Sequence, residues 1–200
     1  MLTPRMPHLH SKPKNKIMKI KALLVAGVCC GIFPECAFAQ SSENLVRNGD
    51  FNESAKDWEI GYREPELGSI TFEIENGPEG AGFVRLAPLN SAAPRYLVLQ
   101  QKFANPPVAG QYRLRAWIRI SEDYAAKMPR VSFGWRNPGD EGETGSASLQ
   151  LDQAAAPGEW ILCEEEMEIP EGAEGTYVFI FTYGSMGHAD FGGISLERLP

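Results

Sequence analysis

The chain has 200 residues, with 19 basic and 26 acidic side chains and four cysteines. Its first 39 residues read as a leader, and without them 13 basic and 25 acidic residues remain, a formal charge of −12. That charge argues against nucleic acid and anionic membrane surfaces as partners, and the one cysteine left, Cys163, excludes an internal disulfide.

The leader is recognisable by its layout. Lys12, Lys14, Lys16, Lys19 and Lys21 lead into an apolar run at residues 22–33, and Ala37-Phe38-Ala39 is a small-x-small cleavage pattern. This is the layout of a secretory signal peptide. The apolar run of about 12 residues falls short of the roughly 20 that a bilayer span requires. Met18 offers an alternative start that gives a more compact signal, and neither Cys29 nor Cys36 follows the small residue that a lipoprotein signal needs. The expected product is a soluble secreted domain, periplasmic or extracellular, of residues 40–200.

The mature chain opens on Asn44-Leu-Val-Arg-Asn-Gly-Asp-Phe51, in which Asn48-Gly49-Asp50 is turn chemistry and Leu45, Val46 and Phe51 can anchor to a core. Trp58 follows a polar loop and is expected to cap the core edge. Strand signals then recur at short intervals. Residues 69–75 alternate, 76–80 form a turn, 83–87 are a short strand, 88–94 a loop and 96–103 another strand. In residues 112–120, Tyr112, Leu114, Ala116, Ile118 and Ile120 share one parity, and Arg113, Arg115, Trp117 and Arg119 the other. That pattern is a strand with one face in a core and the other near water. Residues 122–127 have room for one helical turn. Further strands fit 130–136, 147–151, 160–169, 176–183 and 191–199, with a polar Gly-rich loop at 137–145 and another loop at 184–188. Residues 176–183 are apolar on both parities, the expectation for a central strand covered on both sides. Nine or ten short strands without a long helix predict an all-β, antiparallel sandwich or barrel.

Four stretches together resemble one family. They are the opening Asn44 to Phe51 motif with Trp58, Val108-Ala-Gly110 followed by Tyr112-Arg-Leu-Arg-Ala-Trp117, Pro157-Gly-Glu-Trp160 continuing to Ile169-Pro170, and the closing Phe191-Gly-Gly-Ile-Ser-Leu196. In order and spacing they resemble the carbohydrate-binding modules of the family 4/9 type, and the resemblance covers essentially the whole mature chain. It implies a two-sheet, galactose-binding-domain-like jelly roll and a poly- or oligosaccharide partner. It also implies a structural calcium ion, but the chain departs at those positions. Asn52 stands where the family has an acid, and Gly192-Gly193 stand where it has an Asp-Asp pair. Calcium prefers several carboxylate oxygens. With Asp50, Glu53 and Asp190 as what remains, the expectation is no tight metal site and no cofactor.

A protein binds sugars by laying an aromatic ring on their apolar face and fixing the hydroxyls with planar donors and acceptors. The candidates for such a platform are Trp117 and Arg115 on the non-core parity of one strand, Trp135 and Arg136 at the end of another, Tyr96 after the 90–94 loop, and Tyr183 before Gly184. Each has a plainer alternative. Trp117 matches a position that is often structural in the family, Trp135 shares a parity with Val131 and Phe133, and Arg113, Arg115 and Arg119 can pair with abundant carboxylates. Enzyme chemistry is less supported. Glu164, Glu166 and Glu168 share one strand parity, a plain solvated face rather than a glycosidase pair. With His188 alone left to serve as a base or ligand, neither a Cys163 nucleophile nor a metal hydrolase is expected. The leading expectation is therefore a secreted, non-catalytic carbohydrate-binding domain. The alternative is a structural or adhesive domain that holds a protein partner.

Overall fold

A computed structural model describes residues 43–200, apart from 63–66, 90–94, 138, 140–143 and 152–154. Ten strands run in order: β1 Glu59–Tyr62, β2 Gly68–Glu73, β3 Phe83–Pro88, β4 Arg95–Lys102, β5 Gly110–Ile120, β6 Ala125–Arg136, β7 Thr144–Gln150, β8 Ile161–Ile169, β9 Glu174–Met186 and β10 Ala189–Arg198. They form two five-stranded antiparallel sheets. We call β1-β4-β9-β6-β7 the front sheet and β2-β3-β10-β5-β8 the back sheet. The fold is the expected all-β jelly-roll sandwich. No helix of the described residues is long and apolar enough to cross a membrane.

The period-two pattern places the core. Tyr112, Leu114, Ala116 and Ile118 of β5 are fully buried, together with Val84, Leu86, Phe191, Ile194 and Leu196 of the same sheet. Facing them from the front sheet are Leu97, Leu99, Val131, Phe133, Val178 and Ile180. Residues 122–127, expected to form a helical turn, instead lead into β6, which starts at Ala125. The 184–188 loop is shorter than its composition suggests, because β9 runs on to Met186 and β10 resumes at Ala189. Gly187 takes φ +75° in that tight connection, where a Cβ would strike Ser121 and the Tyr124 backbone.

The segment before β1 is tied to both sheets. The Asn44 side-chain oxygen accepts the backbone N–H groups of Val46 and Leu196, each at 3.0 Å, and Asn44 itself bridges Glu197 of β10. The buried Gln101 amide of β4 accepts from the Arg47 N–H at 2.9 Å and donates to the Arg47 carbonyl at 2.8 Å, so its polar atoms cost little to bury. Phe51 then fills the end of the core against Trp58, with ring centroids 5.3 Å apart. Trp58 is buried and donates its indole N–H to the Asn48 carbonyl.

Candidate functional site

Strand β9 corrects one expectation. It is central, but it is not covered on both sides. Thr176, Val178, Ile180 and Thr182 point into the sandwich, whereas Tyr177, Phe179, Phe181 and Tyr183 stand half-buried on the outer face of the front sheet. Residues of one parity on a strand lie along one face, so the four rings form a row. Their centroids are 5.5 Å apart from Tyr177 to Phe179 and 5.6 Å apart from Phe179 to Phe181. From Tyr177 to Tyr183 the row runs about 20 Å at the rise of an extended chain.

Neighbouring strands shape the ground beside the row. In β4, Tyr96, Val98, Gln100 and Lys102 lie in register with Tyr183, Phe181, Phe179 and Tyr177. Tyr96 stacks on Tyr183 at 4.2 Å and is 52% exposed, the most open ring of the set. On the other side β6 presents Arg130, Ser132 and Gly134 opposite Phe181, Phe179 and Tyr177. Gly134 leaves room for the Tyr177 ring to lie across the strand, since a Cβ there would come within 2.9 Å of that ring. Ser132 shares a hydrogen bond with Ser148 of β7 at 2.7 Å. The result is a ridge of rings with Val98, Gln100 and Lys102 on one side and Arg130 on the other, and the Ser132 hydroxyl buried beside it. The Arg130 guanidinium lies over the Phe181 ring at 5.1 Å. It can donate to Gln150 only with that amide turned so that its oxygen faces the guanidinium, and then does so through Nη2 at 2.8 Å and Nε at 3.0 Å. Rings flanked by amides, hydroxyls and a guanidinium can take up a flat, hydroxylated molecule by stacking and by hydrogen bonding together.

The residues singled out from sequence fall in three places. Tyr96 and Tyr183 meet in the row, and Arg136 is exposed at its far end, 3.8 Å from Glu174. Trp135 is not an outward ring. It is 7% exposed, packs on Phe133 at 5.6 Å and lies flat on Gly145, because it shares the core-facing parity of β6. Trp117 and Arg115 stand on the outer face of the back sheet, on the opposite side of the sandwich from the rings. There Arg115 pairs with Glu164 at 3.1 Å and Arg113 with Glu166 at 2.6 Å. The Glu166 hydrogen bond pushes the Arg113 pKa further up. The four tryptophan and tyrosine candidates therefore do not share one surface. The loop at 90–94 lies outside the described residues. The residues that reading by sequence passed over are Tyr177, Phe179, Phe181, Arg130 and Gln150. The signal for the three rings was present in Tyr177-Val-Phe-Ile-Phe-Thr-Tyr183, where every second residue is aromatic, whereas Arg130 and Gln150 are brought there only by strand pairing.

Asp190, at the start of β10, is fully buried and organises a second cluster. Arg85 donates to its Oδ1 through Nε at 2.7 Å and to its Oδ2 through Nη2 at 3.0 Å. Arg119 donates twice to Oδ2, at 3.0 and 2.7 Å. The Arg119 guanidinium lies over Trp160 at 4.4 Å and Phe83 at 5.3 Å. The hydrogen bond that Arg85 itself makes with Asp190 drives the Arg85 pKa still higher, and burial holds the nearby His188 below its ordinary value. These residues do not fit a calcium ion. Both oxygens of Asp190 are taken by guanidinium groups, whose charge repels a further cation. Asn52 accepts the Gly82 N–H and donates to Asp50. A Cβ at Gly192 would meet Pro78 at 3.0 Å, and one at Gly193, where φ is +55°, would meet Trp117 at 2.9 Å, so the space for a side chain there is filled. Among the described residues no group of three or more His, Cys, Asp or Glu could hold a metal. Burial also pushes the Cys163 thiol up, which leaves it largely protonated and inert near neutral pH.

No family model and no curated protein matches the chain. Solved structures do. A family 16 carbohydrate-binding module superposes with a TM-score of 0.60 at 15% identity, covering 78% of this chain and 100% of that one. That module and this chain share a jelly-roll sandwich. A family 61 module, solved in complex with β-1,4-galactotriose, gives a TM-score of 0.54 at 17% identity over 79% of this chain and 100% of that one. The enzymatically active domain of tailspike protein 4 from bacteriophage CBA120 gives 0.60 at 12% identity over 78% of this chain. This chain spans only 21% of that protein. At these identities the likeness concerns the fold alone.

Proposed function

We propose that the protein is a secreted, non-catalytic carbohydrate-binding domain of the family 4/9 type, and that it holds a poly- or oligosaccharide along the aromatic row of the front sheet. The observation that carries this reading is the run Tyr177, Phe179, Phe181 and Tyr183, extended by Tyr96, half-buried on an outer sheet face and flanked by hydroxyls and amides. The leader at residues 1–39, the four sequence motifs and the shared fold support it. A row of about 20 Å accommodates several consecutive sugar rings, so longer oligosaccharides should bind more tightly than short ones.

Electrophoresis through gels that contain plant or algal polysaccharides tests the reading. The wild-type protein should be retarded by at least one of them. Stacking one ring on a sugar contributes about 1–2 kcal/mol by burial, so Phe181→Ala and Tyr96→Ala should each weaken retention about tenfold. Trp117→Ala, on the other sheet, should leave it unchanged. Retention that disappears with Trp117→Ala and survives Phe181→Ala would place the site elsewhere, and no retention on any polysaccharide would end the carbohydrate reading.

A further inference from the structure

Among the described residues Arg130 and Arg198 are the arginines without a carboxylate partner, and only Arg130 lies beside the aromatic row. Arg47, Arg113, Arg115 and Arg136 each sit against one carboxylate, and Arg85 and Arg119 share Asp190. Arg198 donates to the Ala109 carbonyl. Among the described residues no carboxylate reaches Arg130, although acids outnumber bases by 25 to 13 in residues 40–200. Its unmatched charge lies on the flank of the aromatic row, half-buried beside Phe181.

The guanidinium is also held in place. Gln150 accepts from Nε and Nη2, and Phe181 supports the flat face, so the orientation of the plane is set before any ligand arrives. Nη1 and the second Nη2 hydrogen remain as a fork of two parallel donors. A fork of that geometry matches a planar carboxylate bidentately. We propose that the row binds a polyuronide, an acidic polysaccharide whose sugar carboxylate docks on Arg130 while its ring lies against Phe181 and its neighbours. This deepens the carbohydrate-binding reading and rests on it. The acidic surface elsewhere is no obstacle. Its charges are screened over about 8 Å at physiological salt, and the acidic strand β8 belongs to the back sheet.

The test compares polygalacturonate and alginate with their own methyl esters, at about 0.15 M salt, by affinity electrophoresis and calorimetry. Esterification removes the charge and caps one oxygen with a methyl group, and a charge-assisted hydrogen bond is about twice as strong as a neutral one. The free acid of at least one polymer should bind about tenfold more tightly than its ester. Arg130→Gln should bring acid and ester to within about twofold, chiefly by weakening the acid. Arg130→Lys keeps the charge without the fork and should also lose most of the preference. Equal binding of acid and ester by the wild type would refute the polyuronide and leave carbohydrate binding standing. Preference for a sulfated polysaccharide over both uronides would refute the carboxylate. Binding of no polysaccharide would remove both readings.

Discussion

Replacing Asp190 by asparagine removes one negative charge from between two guanidinium groups. The aspartate is 0% exposed and receives all four of its hydrogen bonds from Arg85 and Arg119. An amide in its place carries no charge and turns N–H donors towards one of those donors. Removing one partner of a buried ion pair costs about 3–5 kcal/mol. Both arginines are half-buried rather than sealed off, so water recovers part of their solvation and the lower end, about 3 kcal/mol, applies. For a domain of this size, 1 kcal/mol moves the melting point by about 2–4 °C, so Asp190→Asn should melt about 6–12 °C below the parent. Differential scanning calorimetry near neutral pH measures this. Arg115→Gln, which breaks the solvent-exposed pair with Glu164, is the control and should cost less than about 1 kcal/mol. An Asp190→Asn melting point within about 2 °C of the parent, or a control that falls as far, would refute the view that this cluster clamps β3, β5 and β10 together.

Trp135→Ala should cost about 3–5 kcal/mol in urea denaturation, since it empties a large core volume. Its folded fraction should still bind polysaccharide like the wild type, and a fully folded variant without binding would show that Trp135 serves the site. Burial lowers the His188 pKa, so on acidification the unfolded chain takes up this proton before the folded one. The stability tied to His188 is thus complete above about pH 6.5 and is lost as pH falls from there through the lower folded value. His188→Gln should flatten the melting-temperature slope between about pH 7.5 and 5.5, and an unchanged slope would contradict the assignment.

The sandwich was legible in the chain because the core is written in period two. The set Tyr112, Leu114, Ala116, Ile118 and the set Val131, Phe133, Trp135 both landed inside. That same parity marks Trp135 as core, so its place could be read locally. The aromatic row could not be placed with the same ease. In β9 both parities are apolar, and periodicity gives no reason to prefer Val178 and Ile180 over Phe179 and Phe181 for the interior. Pairing with β4 and β6 decides it, and β4 lies some eighty residues earlier in the chain. Trp117 and Tyr96 looked like partners because both are aromatics on strands. Whether two strands belong to one sheet is set by long-range register, and β5 pairs with β8 and β10 instead. The Asp190 cluster was hidden for the same reason, since Arg85 and Asp190 are 105 positions apart.

Asn44 binds the incoming chain to Leu196 and Glu197, close to where the last strand ends. Asn44 and the end of β10 are thus held at neighbouring points of the back sheet, the layer turned away from the rings. A fluorophore or a sensor-chip linker attached beside Asn44 or Arg198 would hang from that rear corner and leave the ring-bearing front unobstructed. Joining these two points and opening the chain at a surface turn is, by the same geometry, a practical route to a circular permutant.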